Sequence, residues 1–205
     1  MSTQEALESP PRLASIVGAS VMAMQSRLLN DVPSARGLTA TLRRGAGRLP
    51  QEAPEVWSTV TEEILRDFPE KWLRTDAPSP QELAAYTALV HWASHQQSIR
   101  KPMHIHSDDY RRDFGRAAGE LAARRSLETV KRRFDALMLS RTAGSRLQHI
   151  RSLTQLLRSE EIPLDYGVLA QDLTDLSYPA SRGNVLLRWG RSFNSGYFYS
   201  TRSNA

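Results

Sequence analysis

Cysteine is absent from the chain, which rules out a disulfide framework and any thiolate metal site. No apolar run approaches the roughly 20 residues that a membrane-spanning helix needs. The first dozen residues, MSTQEALESPPR, put acids and prolines where a secretory leader would carry a basic and then an apolar segment. A cytoplasmic protein without a membrane partner is the expectation. Lysine is nearly missing: only Lys71, Lys101 and Lys131 stand among 27 basic residues, the rest being arginine. Arginine makes bidentate contacts to phosphate and stacks on bases, which an ammonium group does less well. Also missing are a Walker loop, a GxGxxG fingerprint and a GxSxG elbow. No spacing of serine and histidine picks out a triad. Neither a cofactor nor an enzymatic activity is expected.

What is present is unevenly spread. The net charge is +5 over 205 residues, of which 40% are hydrophobic. That is enough for one domain or two small helical subdomains around a real core. Residues 1–105 hold 11 basic and 11 acidic side chains, whereas residues 106–205 hold 16 and 11. The whole excess lies in the second half, which points to a polyanion. Arg-for-Lys replacement on a solvated surface accounts for composition equally well, but not for the local pattern described below.

Apolar spacing at three and four residues predicts an all-α fold. Leu13, Ile16, Val17, Val21, Met24 and Leu28 form one stripe on a helix over about 12–30. Ser34 is the expected cap of the next helix, with Leu38 and Leu42 on its stripe. Helical patterns follow over about 55–66 and 69–74. Ser79 and Pro80 with Glu82 form a helix start, and that helix is expected to run to about 98. Residues 99–108 read as a polar, mobile linker. Further helices carry Phe114 to Leu121, then Leu127, Val130, Phe134 and Leu137, then Leu147 to Leu157, Leu164 to Leu176, and Leu186 to Tyr197. The expected organisation is a flexible 1–11, a helical N-terminal part over 12–98, the 99–108 loop, a C-terminal antiparallel helical bundle over 109–200, and a tail over 201–205. No strand, repeat or low-complexity tract is found.

From Arg124 to Arg158 there are nine basic residues and only two acids, Glu128 and Asp135. Arg132 and Arg133 lie off the apolar stripe of their helix. Arg151 and Arg158 are one heptad apart on the next, about 10 Å along one ridge. Arg188 and Arg191 are spaced i, i+3 on the last helix. A solvated face explains mixed charge better than a stretch almost free of acids, so backbone contact to nucleic acid is favoured. His91 and His95 at i, i+4, with His104, His106, Asp108 and Asp109 after them, have the residue types of a zinc or hydrolytic metal site. The general-base glutamate of HExxH is missing, because Trp92 holds that position. His91 or His95 is expected to be a hydrogen-bonded interior residue beside Trp92, and no metal is expected. Trp189 and Phe193 are at core spacing. Tyr197, Phe198 and Tyr199 near the end are open to base stacking.

Six segments together resemble a known family. They are TLRRG (41–45), ALVHWASHQQ (88–97), FGRAAGELA (114–122), VKRRFDALM (130–138), RLQHIRSLTQLLRSEEIPLDYGVLAQDL (146–173) and VLLRWGRSF (185–193). They are similar, in order over about residues 12–195, to the CasB family, the small subunit of the type I-E CRISPR Cascade complex. The resemblance implies an all-helical, non-catalytic subunit present in two copies. Its partners would be the other Cascade subunits, the second copy of itself, the guide RNA, and the target and displaced strands of the target DNA. Stabilising the R-loop would be its task in antiviral defence. By position it assigns Arg43 and Arg44 to a basic pair on an N-terminal helix, Arg132 and Arg133 to a second pair, Arg151 to the following helix, and Arg188 and Arg191 to a last set. Arg158 joins them from the ridge argument. Asp165 is expected to cap a helix rather than bind a ligand. Gln171 departs from the family, which often carries a basic residue there, and the 99–113 segment has no family match. Two other readings remain open: a helical nucleic-acid-binding adaptor of another system, and a metal-dependent hydrolase built on His91, His95, His104 and His106.

Overall fold

The computed structural model describes residues 12–74, 76–106 and 112–203. The expected flexible segment 1–11, together with Asp108, Asp109 and residues 204–205, lies outside them. The described residues form an all-α protein: α1 (Leu13–Leu29), α2 (Pro33–Arg44), α3 (Pro54–Ile64), α4 (Pro80–His95), α5 (Phe114–Arg124), α6 (Leu127–Leu139), α7 (Ala143–Ser159), α8 (Tyr166–Asp175) and α9 (Pro179–Ser203). Among them no helix is long and apolar enough to cross a membrane.

Helix α4 is the central element. Ser79 Oγ accepts the Glu82 amide at 3.2 Å and Glu82 Oε2 accepts the Ser79 amide at 2.8 Å, a capping box with Pro80 in the first turn. Its buried residues lie on every face, from Ala85 and Tyr86 to Val90, Trp92 and Ala93, because α1, α2, α3, α7 and α8 all pack on it. A single apolar cluster runs from Leu13 to Phe193.

Some local expectations change. Helix α2 starts at Pro33 behind Val32, and Ser34 instead accepts a hydrogen bond from Arg27 at 3.1 Å. Proline at the first helical position needs no amide partner, so no hydroxyl cap is required. Only a 3₁₀ turn, Glu70–Trp72, forms where a helix over 69–74 is expected. Leu127 is 40% exposed, since it opens α6 before the buried stripe of Val130, Phe134 and Leu137 begins. Helix α9 runs unbroken to Ser203, through residues read as the start of a tail.

The described part of the 99–108 loop is not a free linker. Gln25 on α1 grips His104 from both sides, accepting its amide at 2.8 Å and donating to its carbonyl at 3.0 Å. Gln96 Oε1 accepts the Met103 amide at 2.9 Å. The Leu164 amide donates to the Met103 carbonyl and the Ile105 amide to the Leu164 carbonyl, each at 3.2 Å. Met103 and His104 are buried. Buried backbone groups must be paired, and two glutamines with the strand-like turn before α8 provide the pairing.

Candidate nucleic-acid interface

Three of the sequence-selected arginines meet in one cleft. Arg43 comes from the last turn of α2. Arg151 and Arg158 come from α7, and Ser94 and Gln97 close the space from the end of α4. The cleft has a volume of about 220 Å³. Gln148 Nε2 donates to the Gly47 carbonyl at 2.6 Å, pinning the turn after α2 against α7. Gly47 has φ +85°, and a Cβ there would approach Arg151 Cδ to 2.7 Å. The left-handed backbone favours glycine here, and the Arg151 side chain lies where a Cβ would sit. Arg158 Nε donates to the Gln97 carbonyl at 3.1 Å, which orients its guanidinium.

Among the described residues none of these three arginines forms an ion pair with a carboxylate. Burial and the charge of Arg158 both push the Arg43 pKa down. Like charges brought together without a counter-ion favour an anion between them. The cleft therefore suits phosphate oxygens, with Ser94, Gln97 and Gln155 as neutral hydrogen-bonding groups on its wall.

The remaining candidates are dispersed. Arg44 turns away from Arg43, toward Thr41 at 3.2 Å and Glu55 at 3.9 Å. Arg132 and Arg133 are exposed on α6; Arg133 donates to Ser152 on α7 at 2.7 Å, which brings it beside the ridge that carries Arg151. Arg191 is exposed on α9. Arg188 does not share an open ridge with it. Its guanidinium binds the buried carboxylate of Asp172, because α9 turns this position toward α8. The acid-poor stretch is also less free than its composition implies: Arg124 pairs with Glu120, Arg125 with Glu160 and Lys131 with Asp135. Ser94, Gln97 and Gly47 are not among the residues that the sequence pattern selects. Their signal was the nearness of Gly45 and Gly47 to the arginine pair, and it acquires meaning only once α7 is seen to pack there.

The histidines do not assemble a metal site among the described residues. His91 Nδ1 lies 2.7 Å from the Thr87 carbonyl, and His95 Nδ1 lies 2.9 Å from the Tyr166 hydroxyl. His104 Nδ1 accepts the Tyr166 amide at 3.1 Å. All three rings are buried. Burial lowers the His91 pKa to about 4 and that of His95 to about 3. Burial also lowers that of His104, against the charge of Asp165. His106 Nδ1 is 3.3 Å from Asp165 Oδ2. Asp165 itself caps α8, accepting the Gly167 and Val168 amides at 2.8 and 3.1 Å.

Comparison with known proteins adds four observations. A family model described as CRISPR-associated protein Cse2 matches residues 38–193. The crystal structure of CasB from Thermobifida fusca superposes with a TM-score of 0.72 at 29% identity, over 91% of this chain and 99% of that one. A chain of a CRISPR RNA-guided surveillance complex superposes with a TM-score of 0.70 at 20% identity, over 94% and 99%. A CRISPR-associated protein of the Cse2 family from Thermus thermophilus gives 0.62 at 21% identity, over 87% and 97%. A search of curated proteins returned no match.

Proposed function

The chain belongs to the Cse2 family of CRISPR-associated proteins, and from that premise we propose that it is the non-catalytic small subunit of a type I-E CRISPR RNA-guided surveillance complex. In this reading it holds nucleic-acid backbone without sequence preference and stabilises the R-loop. Its partners are the guide RNA, the target DNA, the other subunits and a second copy of itself. The observation that carries the reading is the cleft in which α2 and α7 bring together Arg43, Arg151 and Arg158, with no carboxylate among the described residues that line it. Sequence discrimination belongs to guide–target pairing, so a protein that contacts phosphates needs no base-edge code. Duplex exchange in an R-loop is nearly balanced, so a few backbone contacts decide whether it persists.

Salt dependence of binding tests this. Each neutralised phosphate contributes about 0.7–0.9 to the slope of log K against log salt. Replacing Arg43, Arg151 and Arg158 together by alanine should lower that slope by about 2 to 3, measured by fluorescence anisotropy with the full chain. In the assembled complex the same variant should shorten R-loop lifetime. An affinity independent of salt, or a triple variant with an unchanged slope and lifetime, sinks the reading.

A further inference from the structure

Helix α9 contains no acidic residue over its 25 positions, Pro179–Ser203, and four arginines: Arg182, Arg188, Arg191 and Arg202. Its inner face, with Val185, Trp189 and Phe193, is buried. Its outer face carries Leu187, Arg191, Asn194, Phe198 and Arg202, all exposed, within an arc of about 80° at 100° per residue. Two large rings are exposed near its end, about 100° apart around the helix axis: Phe198, within that arc, is 59% exposed and Tyr199, beside it, is 66% exposed.

A lone exposed ring needs no explanation, but a concentrated patch does, and these rings are held in place. The Tyr197 ring abuts Phe198 edge-on with centroids 5.5 Å apart. The Arg116 guanidinium lies 5.3 Å from the centroid of the Tyr199 ring. Arg116 is itself fixed by a 3.1 Å hydrogen bond to Ser195. Along the helix Arg191 precedes Phe198 by about 10 Å and Arg202 follows it by about 6 Å.

We propose that the C-terminal end of α9 is a second nucleic-acid site, where Phe198 and Tyr199 stack unpaired bases of a single strand and Arg191 and Arg202 hold its phosphates. Exposed flat rings with cations before and after them, on a helix whose own residues include no acid, suit a single strand bound without regard to sequence, because every base has a π face. A duplex offers no such face along its length. Arg116 behind Tyr199 extends the stack. The inference rests on the reading of the chain as a nucleic-acid-binding subunit, and adds base contact on a different surface to backbone contact in the cleft.

The test uses the full chain and two labelled single strands of equal length, oligothymidine and a fully abasic strand, in fluorescence anisotropy. Both present the same phosphates. Wild type should prefer oligothymidine by about five- to 150-fold, the effect of stacking one base. Phe198→Ala/Tyr199→Ala should abolish the preference and leave affinity for the abasic strand unchanged. Phe198→Leu/Tyr199→Leu, which keeps apolar bulk but no flat ring, should abolish it as well. Equal affinity of wild type for both strands overturns the inference while leaving the cleft intact as a backbone site. Binding to neither strand overturns both. A double variant that keeps the base preference but no longer co-purifies with partner subunits marks the face as a protein contact, and the inference is then wrong.

Discussion

Asp172 is wholly buried, so its two neighbours decide whether its charge is tolerable. Trp189 Nε1 donates to Oδ2 at 2.6 Å, and Arg188 binds Oδ1. Burial raises the Asp172 pKa to about 7, against the pull of Arg188 and Trp189. Arg188 is therefore part of the fold, although its spacing from Arg191 invited a surface role. Removing one partner of a fully buried pair costs about 3–5 kcal/mol. Here the cost is lower, since the Arg188 side chain is 27% exposed and a lone Asp172 takes up a proton. Arg188→Ala should thus lose about 2–3 kcal/mol of unfolding free energy in urea, whereas the exposed Arg191→Ala should stay within about 0.5 kcal/mol. An Arg188→Ala protein as stable as wild type would return Arg188 to the binding surface. Asp172 is also the chain neighbour of Gln171. Gln171 now donates to Asp175 at 3.1 Å, within α8.

At the scale of elements, the seam between α5 and α9 is set by glycines. A Cβ on Gly119 would collide with the Phe193 carbonyl, and one on Gly115 would come within 2.8 Å of Trp189 Cα. Alanine usually improves a helix by about 1 kcal/mol over glycine. At Gly119 the helices must instead part, so Gly119→Ala should destabilise by about 1–3 kcal/mol through overpacking. Gly190 on α9 has nothing within 4 Å of its Cβ position, and Gly190→Ala should stabilise by up to about 1 kcal/mol. Thermal melting of the two variants checks both signs; a Gly119→Ala protein that melts above wild type contradicts the seam. The helices themselves were legible, since stripes such as Val130, Phe134 and Leu137 report burial directly, and Ser79 with Glu82 is a local cap signature. Tertiary rescue was not legible. Residues 99–106 look polar because their partners, Gln25 and Leu164, lie far away in sequence. The residue types of the candidate site are legible, but its geometry depends on which arginines converge: Arg43 reaches Arg151 and Arg158 only because α2 and α7 flank α4. Arg188 has the same local pattern and a different fate, decided by one carboxylate on α8.

For the whole molecule, the buried histidines tie the first half of the chain to the second through Tyr166. Its hydroxyl meets His95 Nδ1 at 2.9 Å and the His91 carbonyl at 3.4 Å, and its amide meets His104 at 3.1 Å. The arginines of the cleft act on these rings as well: Arg151 disfavours a proton on His91 and Arg158 on His95, after burial as the main cause. The carbonyls of Thr87 and Leu147 favour it at His91, and that of Leu157 at His95, but they do not prevail. An unfolded histidine titrates near 6.5, while the folded rings titrate at about 4 and about 3. Between those limits the unfolded chain binds more protons, so stability is fully present above about pH 6.5 and falls with pH by about 1.4 kcal/mol per unit for each ring. His104 acts in the same direction. Asp172 opposes them: its pKa of about 7 means that the folded chain holds a proton the unfolded one has lost, which favours folding as pH falls below 7. Burial of Asp113 raises its pKa and adds to that side. His91 and His95 together outweigh Asp172, so the melting temperature should fall between pH 6.5 and 4.5. His95→Gln removes one titrating ring. It should melt lower at pH 7, where the bond to Tyr166 is weakened, but lose about 2–3 kcal/mol less than wild type over those two pH units. If the two proteins lose stability in parallel on acidification, the His95 ring takes up its proton in the folded state, and burial and the Arg158 charge do not hold its pKa down.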